Sequence, residues 1–365
     1  MTRRPVLLVS AAGVLGGAER VLLDWAEALE RPAILACPPG PLADAAGAAR
    51  LRTVTLDDRP LRRRGRNAAA AADLGRLARD IARLARTHRP IVVVASGQRP
   101  SIAAAGAPLA GARLLSLMHD LPARPVAALL RASAARADAI VATSGAVARA
   151  ADPRARRLAR TTMIHPGVDA AAWALPDPPP GPPRALSLGA LVPWKRADLA
   201  LEIAARVPRL QLDIAGAALP GDPPGFERAL HERAARADLA GRVSFLGALD
   251  DPRTALAKAH VLLHCADREP FGLVLVEALA AGRPVVAPAD AGPLEIITPA
   301  CGRLYTPGDA GAGAAAVRAV LGDPAAPASA RERAIAFDRA AAARRFRATV
   351  ERLAATRDRS STGTA

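Results

Sequence analysis

The sequence predicts an α/β protein with two doubly wound domains, and two observations lead to this prediction. Short apolar segments recur along the chain with helical segments between them, and a proline-rich stretch at 171–184 interrupts this alternation before it restarts. Short strands that alternate with helices form a mostly parallel sheet covered on both faces. Because a proline-rich stretch continues neither kind of element, the alternation divides into two sheets.

The strand-like and helical segments, taken in chain order, support a division into two sheets. In the first half, the strand-like segments are 6–10, 33–37, 51–56, 91–96, 113–118, 139–143 and 161–165, and the helical ones are 18–29, 68–87 and 126–137. In the second half, the strand-like segments are 185–190, 210–215, 243–247, 261–265 and 284–288. After Asp309 the chain is expected to be helical.

These segments define the predicted domains. We expect a first domain over residues 1–170, an extended linker over 171–184 and a second domain over 185–336. A helix over 337–356 is expected to pack back on the first domain, and 357–365 to form a disordered tail, because it lacks apolar residues. Ligands of doubly wound sheets bind beyond the carboxyl ends of the strands, so a central cleft that the two domains face is the expected site.

Composition restricts the compartment and the partners. Three cysteines lie far apart without paired ligand spacing, which argues against a disulfide framework or zinc site and is compatible with a reducing cytoplasm. The first residues resemble a secretory signal, but we interpret Val6–Val9 as a buried strand. No uncharged apolar run reaches the roughly 18 residues of a membrane span. We therefore expect a soluble or peripheral protein.

Positive charge is concentrated in the first half. Residues 1–175 carry 26 arginines and 13 acidic residues, a net of +13 out of the +16 of the whole chain, with a local peak at Arg62–Arg66. Such a field attracts anionic lipid, phosphate-bearing substrates or nucleic acid. A solvated arginine-rich face is the alternative. Aromatic content of 2% leaves few stacking platforms for nucleic acid.

The most informative stretch runs from Glu269 to Glu277 and places two carboxylates around a glycine turn and an apolar helix. Pro270 disfavours helical geometry at Glu269 and itself suits the first helical position, so Glu269 is expected in a loop. The backbone N–H groups of Phe271, Gly272 and Leu273 would favour a phosphate or developing anion there. The alternative is a buried helix in which Glu277 pairs with an arginine.

Two further stretches suit a phosphate. Gly16 and Gly17 follow the first strand and allow close backbone approach, although they lack the G-x-G-x-x-G spacing and a tight turn is the alternative. Lys195 and Arg196 follow the first strand of the second half. Lys195 is one of only two lysines in the chain, which suggests that a compact point charge is needed there. An exposed basic loop is the alternative.

Histidines also end predicted strands. His119 and Asp120 follow the strand at 113–118, where His119 can act as a donor, base or positioning group or be structural. His165 and Asp169 are interpreted as structural. His264 ends the strand before Glu269, where a supporting role is expected.

Together these motifs resemble the retaining GT-B glycosyltransferases of family 4, the glycosyl transferases group 1. The residues that carry the resemblance are Pro193-Trp-Lys195-Arg196, the glutamate pair with seven residues between, and Ala281-Gly-Arg-Pro-Val. Gly16-Gly17-Ala-Glu19, His119-Asp120 and Pro166-Gly-Val-Asp169 stand in the family's order. The resemblance covers nearly the whole chain and implies two Rossmann-like domains.

The resemblance implies a role for each residue. Glu277 would bind the ribose hydroxyls of a nucleotide-sugar and Glu269 the hydroxyls of its sugar. Lys195, with Arg196 and Gly17, would stabilise the diphosphate as it leaves, and His119 would lie near the sugar. Transfer would retain the anomeric configuration without a metal or other cofactor. Similar sequences carry an arginine where this chain has Ala190, and Arg196 is the residue that could compensate.

We therefore predict a cytoplasmic hexosyltransferase that uses a nucleotide-sugar. The basic first half suggests an anionic or lipid-linked acceptor, as in synthesis of a surface glycan or glycolipid, and a peripheral position at the inner face of an anionic cell membrane. An epimerase or phosphorylase of the same architecture and a basic nucleic-acid-binding protein are the alternatives.

Overall fold

The computed structural model describes residues 3–57, 67–152, 160–218 and 225–362, and the chain divides into two compact units. The first unit comprises Met1–Pro166 with Arg339–Ala365, and the second comprises Gly167–Asp338. The arginine peak at 62–66 lies outside the described residues.

The first unit is built on a seven-stranded parallel sheet. Its strands are β1 (Val6–Ser10), β2 (Ala33–Cys37), β3 (Arg52–Thr55), β4 (Val92–Ser96), β5 (Arg113–Met118), β6 (Ala139–Ala142) and β7 (Thr161–Met163). The intervening helices are α1 (Gly17–Glu27), α2 (Pro41–Ala48), α3 (Asn67–His88), α4 (Gln98–Gly106), α5 (Arg124–Ala134) and α6 (Gly145–Ala151). The strand order β3-β2-β1-β4-β5-β6-β7 reverses direction between β1 and β4. Every residue of β1 and β4 is buried, as expected of strands covered on both faces.

The second unit has a six-stranded parallel sheet of the same kind. Its strands are β8 (Arg184–Leu188), β9 (Gln211–Ala215), β10 (Val243–Gly247), β11 (Val261–Leu263), β12 (Val285–Pro288) and β13 (Gly302–Tyr305). Its helices are α7 (Ala170–Trp173), α8 (Ala197–Ala205), α9 (Gly225–Ala234), α10 (Arg253–Leu256), α11 (Leu273–Ala280), α12 (Pro293–Ile296), α13 (Ala310–Leu321) and α14 (Ala326–Ile335). The order β10-β9-β8-β11-β12-β13 reverses direction between β8 and β11. The doubly wound α/β prediction is thus confirmed in both units.

The linker predicted over 171–184 is wrong in part: residues 174–183 contain neither helix nor strand, as expected, but 171–173 belong to a short helix and the segment packs on the second unit. Asp169 accepts hydrogen bonds from the N–H groups of Ala171 and Ala172, both at 3.1 Å, and begins α7. Trp173 and Leu175 then pack against the core of the second unit, because their apolar surface is more stable out of water. The second unit therefore begins at Gly167 rather than at 185.

The prediction for the C-terminus is also wrong in part. Helix α15 (Arg339–Thr362) starts two residues later than the predicted 337–356 helix and continues through Thr362, where a disordered tail was expected over 357–365. Each added residue extends an existing helix without a new nucleation cost, and no glycine or proline intervenes before Gly363. Within the first unit, Phe346 of α15 stacks on Trp25 of α1 with ring centroids 4.9 Å apart.

Among the residues that the structure describes, no helix is both long and apolar enough to cross a membrane.

Candidate functional site

The reversal of strand order in the second sheet brings two predicted site residues together. Lys195 follows β8 and Glu269 follows β11, and these adjacent strands end at the same edge of the sheet. In open α/β sheets, ligands bind at this switch point beyond the carboxyl ends of the strands. The fold thus joins residues that are 74 positions apart in the chain.

Lys195 and Glu269 form a tight ion pair. Lys195 Nζ lies 2.6 Å from Glu269 Oε2, and the two side chains are 21% and 10% exposed. Lys195 ends a short 3-10 turn, Pro193–Lys195, and its ammonium group lies over the Trp194 ring, 4.2 Å from the centroid. The main chains of the two loops are also joined, because Asp267 N–H donates to the Trp194 carbonyl oxygen at 2.8 Å.

Glu269 is ionised in this setting. Burial raises its pKa, but His264, whose Nε2 lies 3.3 Å from Glu269 Oε2, and the charge of Lys195 outweigh burial and lower the pKa to about 2. An ionised carboxylate only accepts hydrogen bonds. The site can therefore bind hydroxyl groups through Glu269 but cannot use this residue as a proton donor near neutral pH.

The turn after Glu269 starts the helix later than Pro270 suggests. Gly272 has φ 96° and precedes the first helical residue, Leu273, so α11 begins three positions after the proline. This left-handed backbone favours glycine. Phe271 is buried, and the Glu269 carbonyl oxygen accepts from Gly292 N–H at 2.9 Å.

Glu277 lies on the part of α11 that is not fully covered. Positions 273, 274 and 277 are half-buried, while the other helical residues are buried. Residues three and four positions apart share a helix face, so Glu277 shares this face with Leu273 and Val274.

Arg196 is held by two carboxylates. Its Nε lies 3.1 Å from Asp198 Oδ2 and its Nη1 lies 3.4 Å from Asp267 Oδ1. The backbone of Arg196 is left-handed, with φ 54°, and this places its side chain between the two acids. Burial lowers the pKa of Arg196, but the two aspartates outweigh burial and raise it.

The first unit carries the other predicted residues. Gly16 precedes α1, and its N–H donates to Glu19 Oε2 at 3.1 Å. Gly17 begins the helix, and an added Cβ there would have no neighbour within 4 Å. Packing therefore does not require glycine at Gly17, which is compatible with close approach of a ligand.

His119 lies at the end of β5 beside a serine. Its Nε2 is 3.3 Å from Ser96 Oγ, and its Nδ1 is 3.4 Å from Asp120 Oδ1. Burial lowers the pKa of His119, but Asp120 and the charge of Glu19 outweigh burial and raise it. Gly97 lies against the ring, since an added Cβ would be 3.1 Å from Nε2.

Ser96 and Asp267 were not predicted as part of these clusters. Ser96 could have been found, because β4 pairs with β5 and the two strands end together. The described ranges contain no group of three or more His, Cys, Asp or Glu residues that could hold a metal ion.

Two family models match consecutive parts of the chain. Residues 15–172 match the model "Glycosyltransferase Family 4", and residues 176–337 match "Glycosyl transferases group 1". Together they span both units.

Individual proteins show the same similarity. The chain is 38% identical over 180 residues to glycogen synthase of Mycobacterium tuberculosis (strain CDC 1551 / Oshkosh), a match over 46% of this chain and 42% of that protein. It is 36% identical over 118 residues to the lipopolysaccharide core biosynthesis glycosyltransferase LpsE of Rhizobium meliloti (strain 1021), over 32% of this chain and 33% of that protein. The matches thus span less than half the length of these relatives.

A solved structure resembles nearly the whole chain. The crystal structure of Anabaena HepE in complex with UDP and glucose has a TM-score of 0.78 and 24% identity, and the match covers 96% of this chain and 98% of that one. At this identity the similarity concerns the fold.

Proposed function

Because the chain belongs to the group 1 glycosyltransferases with the GT-B fold, we propose that it transfers a hexose from a nucleotide-sugar to an acceptor with retention of configuration. The observation that carries this proposal is the Lys195–Glu269 ion pair at 2.6 Å. It places a compact cation and an obligate hydrogen-bond acceptor side by side at the switch point of the second sheet.

Each group has a task in this scheme. Lys195 binds the diphosphate and stabilises the negative charge that grows as it leaves, which is preorganised electrostatic stabilisation. Glu269 accepts hydrogen bonds from hydroxyls of the donor sugar, and Glu277 accepts them from the ribose. The N–H groups of the turn at Gly272 lie at the start of α11 and favour an anion. Arg196, Phe271 and Leu273 complete the proposed donor site.

The first unit supplies the remaining proposed residues. Gly17 is proposed to offer its backbone N–H to the donor phosphate, and Gly16, whose N–H donates to Glu19, to allow close backbone approach. His119 is proposed to contact the sugar, with Ser96 and Asp120 fixing its ring through the contacts at 3.3 and 3.4 Å. No step in this scheme requires a resident metal or cofactor, because cationic side chains and N–H groups carry the charge stabilisation.

The acceptor is proposed to be anionic or lipid-linked. Two findings support this proposal: residues 1–175 carry most of the net charge of the chain, and the relative LpsE is described as acting in lipopolysaccharide core biosynthesis. A cytoplasmic enzyme that docks peripherally on an anionic membrane would reach such an acceptor. Co-sedimentation with phosphatidylglycerol vesicles but not phosphatidylcholine vesicles is expected, and equal binding to both would contradict the membrane proposal.

The donor reaction is tested with a panel of UDP-, ADP- and GDP-hexoses. We expect release of free nucleoside diphosphate together with a glycosylated acceptor, and NMR of the product should show the anomer of the donor. An epimerised nucleotide-sugar or a free sugar phosphate as product would refute transfer.

The two lysines offer a matched pair of variants. Lys195→Met should lower kcat by about 10²–10³-fold, the usual cost of removing one preorganised donor. Lys258→Met removes the same charge from an exposed position and should leave turnover unchanged. Equal activity of the two variants would refute the role of Lys195.

A further inference from the structure

His264 lies beside Glu269 and has no task in the scheme above. Its side chain is 4% exposed, and its backbone is fixed on both sides. Its N–H donates to the Val286 carbonyl oxygen at 2.8 Å, and its carbonyl oxygen accepts from the Tyr305 hydroxyl at 3.3 Å. The backbone of His264 is therefore held by the sheet, and its ring is buried.

One oxygen of Glu269 faces both Lys195 and His264. Lys195 Nζ lies 2.6 Å and His264 Nε2 lies 3.3 Å from Oε2. His264 Nε2 is buried and has no hydrogen bond of ordinary geometry to any group that the structure describes. The Glu269 carboxylate, with Oε2 at 3.3 Å, lies within ion-pair distance of it. The hydrogen bond that Lys195 donates goes to Oε2, and no described residue donates a hydrogen bond to Oε1.

This arrangement sets a problem for donor binding, and the inference rests on the proposed function here. Lys195 is assigned to the diphosphate, yet it is paired with Glu269. Its flexible four-carbon stem allows it to turn towards a phosphate. The buried Glu269 carboxylate would then lose a partner, and an unpaired buried charge is strongly destabilising.

We propose that His264 is a positioning residue that retains Glu269 Oε2 when Lys195 turns to the diphosphate of the donor. Oε1 then remains directed at the hydroxyls of the sugar. Such an exchange needs one mobile and one fixed partner, and Lys195 and His264 differ in this way. It also requires the His264 proton on Nε2, so that the ring donates to the carboxylate.

The influences on the Glu269 pKa are compatible with these separate roles for Lys195 and His264. Burial raises the Glu269 pKa, and both His264 and Lys195 lower it. The carboxylate faces Lys195 and His264, while the nearby Asp267 is engaged by Arg196. His264 can therefore keep Glu269 ionised after Lys195 has moved.

The test measures binding of UDP, ADP and GDP without sugar, by calorimetry, to four proteins: wild type, His264→Leu, Glu269→Gln and the double variant. His264→Leu should weaken binding about 10- to 100-fold, the usual effect of losing a hydrogen bond to a charged group, because Lys195 can no longer leave Glu269 at low cost. Glu269→Gln needs no charged partner. The double variant should therefore bind within about threefold of Glu269→Gln, since the coupling disappears with the charge.

The outcomes separate the two proposals. Wild-type protein that binds none of the three nucleotides and transfers no sugar would refute the proposed function, and this inference with it. If His264→Leu binds the nucleotides as tightly as wild type, the inference alone is overturned. It is also overturned if His264→Leu lowers the affinity by the same factor in the Glu269→Gln background, because that result indicates a purely structural role for His264. His264→Gln, which keeps an N–H donor, should recover most of the affinity, and its failure to do so would also count against the inference.

Discussion

Replacing Glu269 with glutamine measures how strongly the fold depends on an ionised carboxylate at this position. The substitution keeps the size of the side chain and removes only its charge. In the native protein the Glu269 pKa is lowered from 4.5 to about 2. A group whose pKa is lower in the folded state stabilises the protein above its unfolded pKa, and this contribution is lost as the pH falls through the folded value.

The size of the effect follows from the shift. Each pKa unit corresponds to about 1.36 kcal/mol, so the lowering to about 2 contributes about 3 kcal/mol to the free energy of unfolding at neutral pH. About half of this contribution is lost by about pH 3, midway between the two pKa values. Glu269→Gln should therefore be about 3 kcal/mol less stable than wild type at pH 7, and the difference should shrink steadily below about pH 4.5.

Urea unfolding followed by tryptophan fluorescence at pH 7, 5, 4 and 3.5 provides the measurement, and Glu232→Gln is the matched control. Glu232 pairs with Arg228 at 3.6 Å on the surface, and both side chains are more than 70% exposed. Such pairs contribute about 0–1 kcal/mol. If the free energy of unfolding of Glu269→Gln stays below that of wild type by a constant amount from pH 7 to 3.5, the reasoning is refuted, because the difference would not arise from ionisation of Glu269.

Three other predictions follow from single features. Gly167→Ala should lower the melting temperature, because an added Cβ would lie 2.2 Å from the Phe337 carbonyl oxygen. Gly17→Ala should leave the melting temperature unchanged or raise it, yet reduce turnover. Full activity of Gly17→Ala would contradict donor binding at Gly17. Asp120→Asn should lower the His119 pKa in an NMR titration, since Asp120 raises it, and an unchanged value would show that Asp120 is not its partner. EDTA should leave sugar transfer unchanged in a turnover assay, and a loss restored by a divalent cation would show that a metal takes part.

The pairing of Lys195 with Glu269 was accessible from the sequence for a topological reason. Both residues follow short apolar strands, and a doubly wound sheet reverses its order between the strands that bracket its ligand site. Strand ends could be read from the sequence, although their bounds shift by a few residues. The edge strand β13 was missed because two of its four residues, Gly302 and Arg303, are not apolar.

Other parts of the structure depend on backbone geometry that residue types alone do not specify. Gly272 rather than Pro270 sets the start of α11, because its left-handed φ of 96° ends the turn. The proline-rich segment from 171 to 184 joins the second unit because Trp173 and Leu175 have a core to pack against. The number of prolines in the segment does not indicate whether its apolar residues have a core to pack against.

Arg196 shows how far a pattern can identify a residue without identifying its partners. Its position beside Lys195 suggested a second free cation that could compensate for Ala190. In the folded protein it already faces Asp198 and Asp267, and Lys195 faces Glu269. Two cations thus meet three carboxylates in these loops, and a diphosphate that binds here must take its cations from existing ion pairs. In the proposed scheme, exchange of partners, with His264 beside the released carboxylate, is what would allow a diphosphate to bind in a site without an arginine at 190.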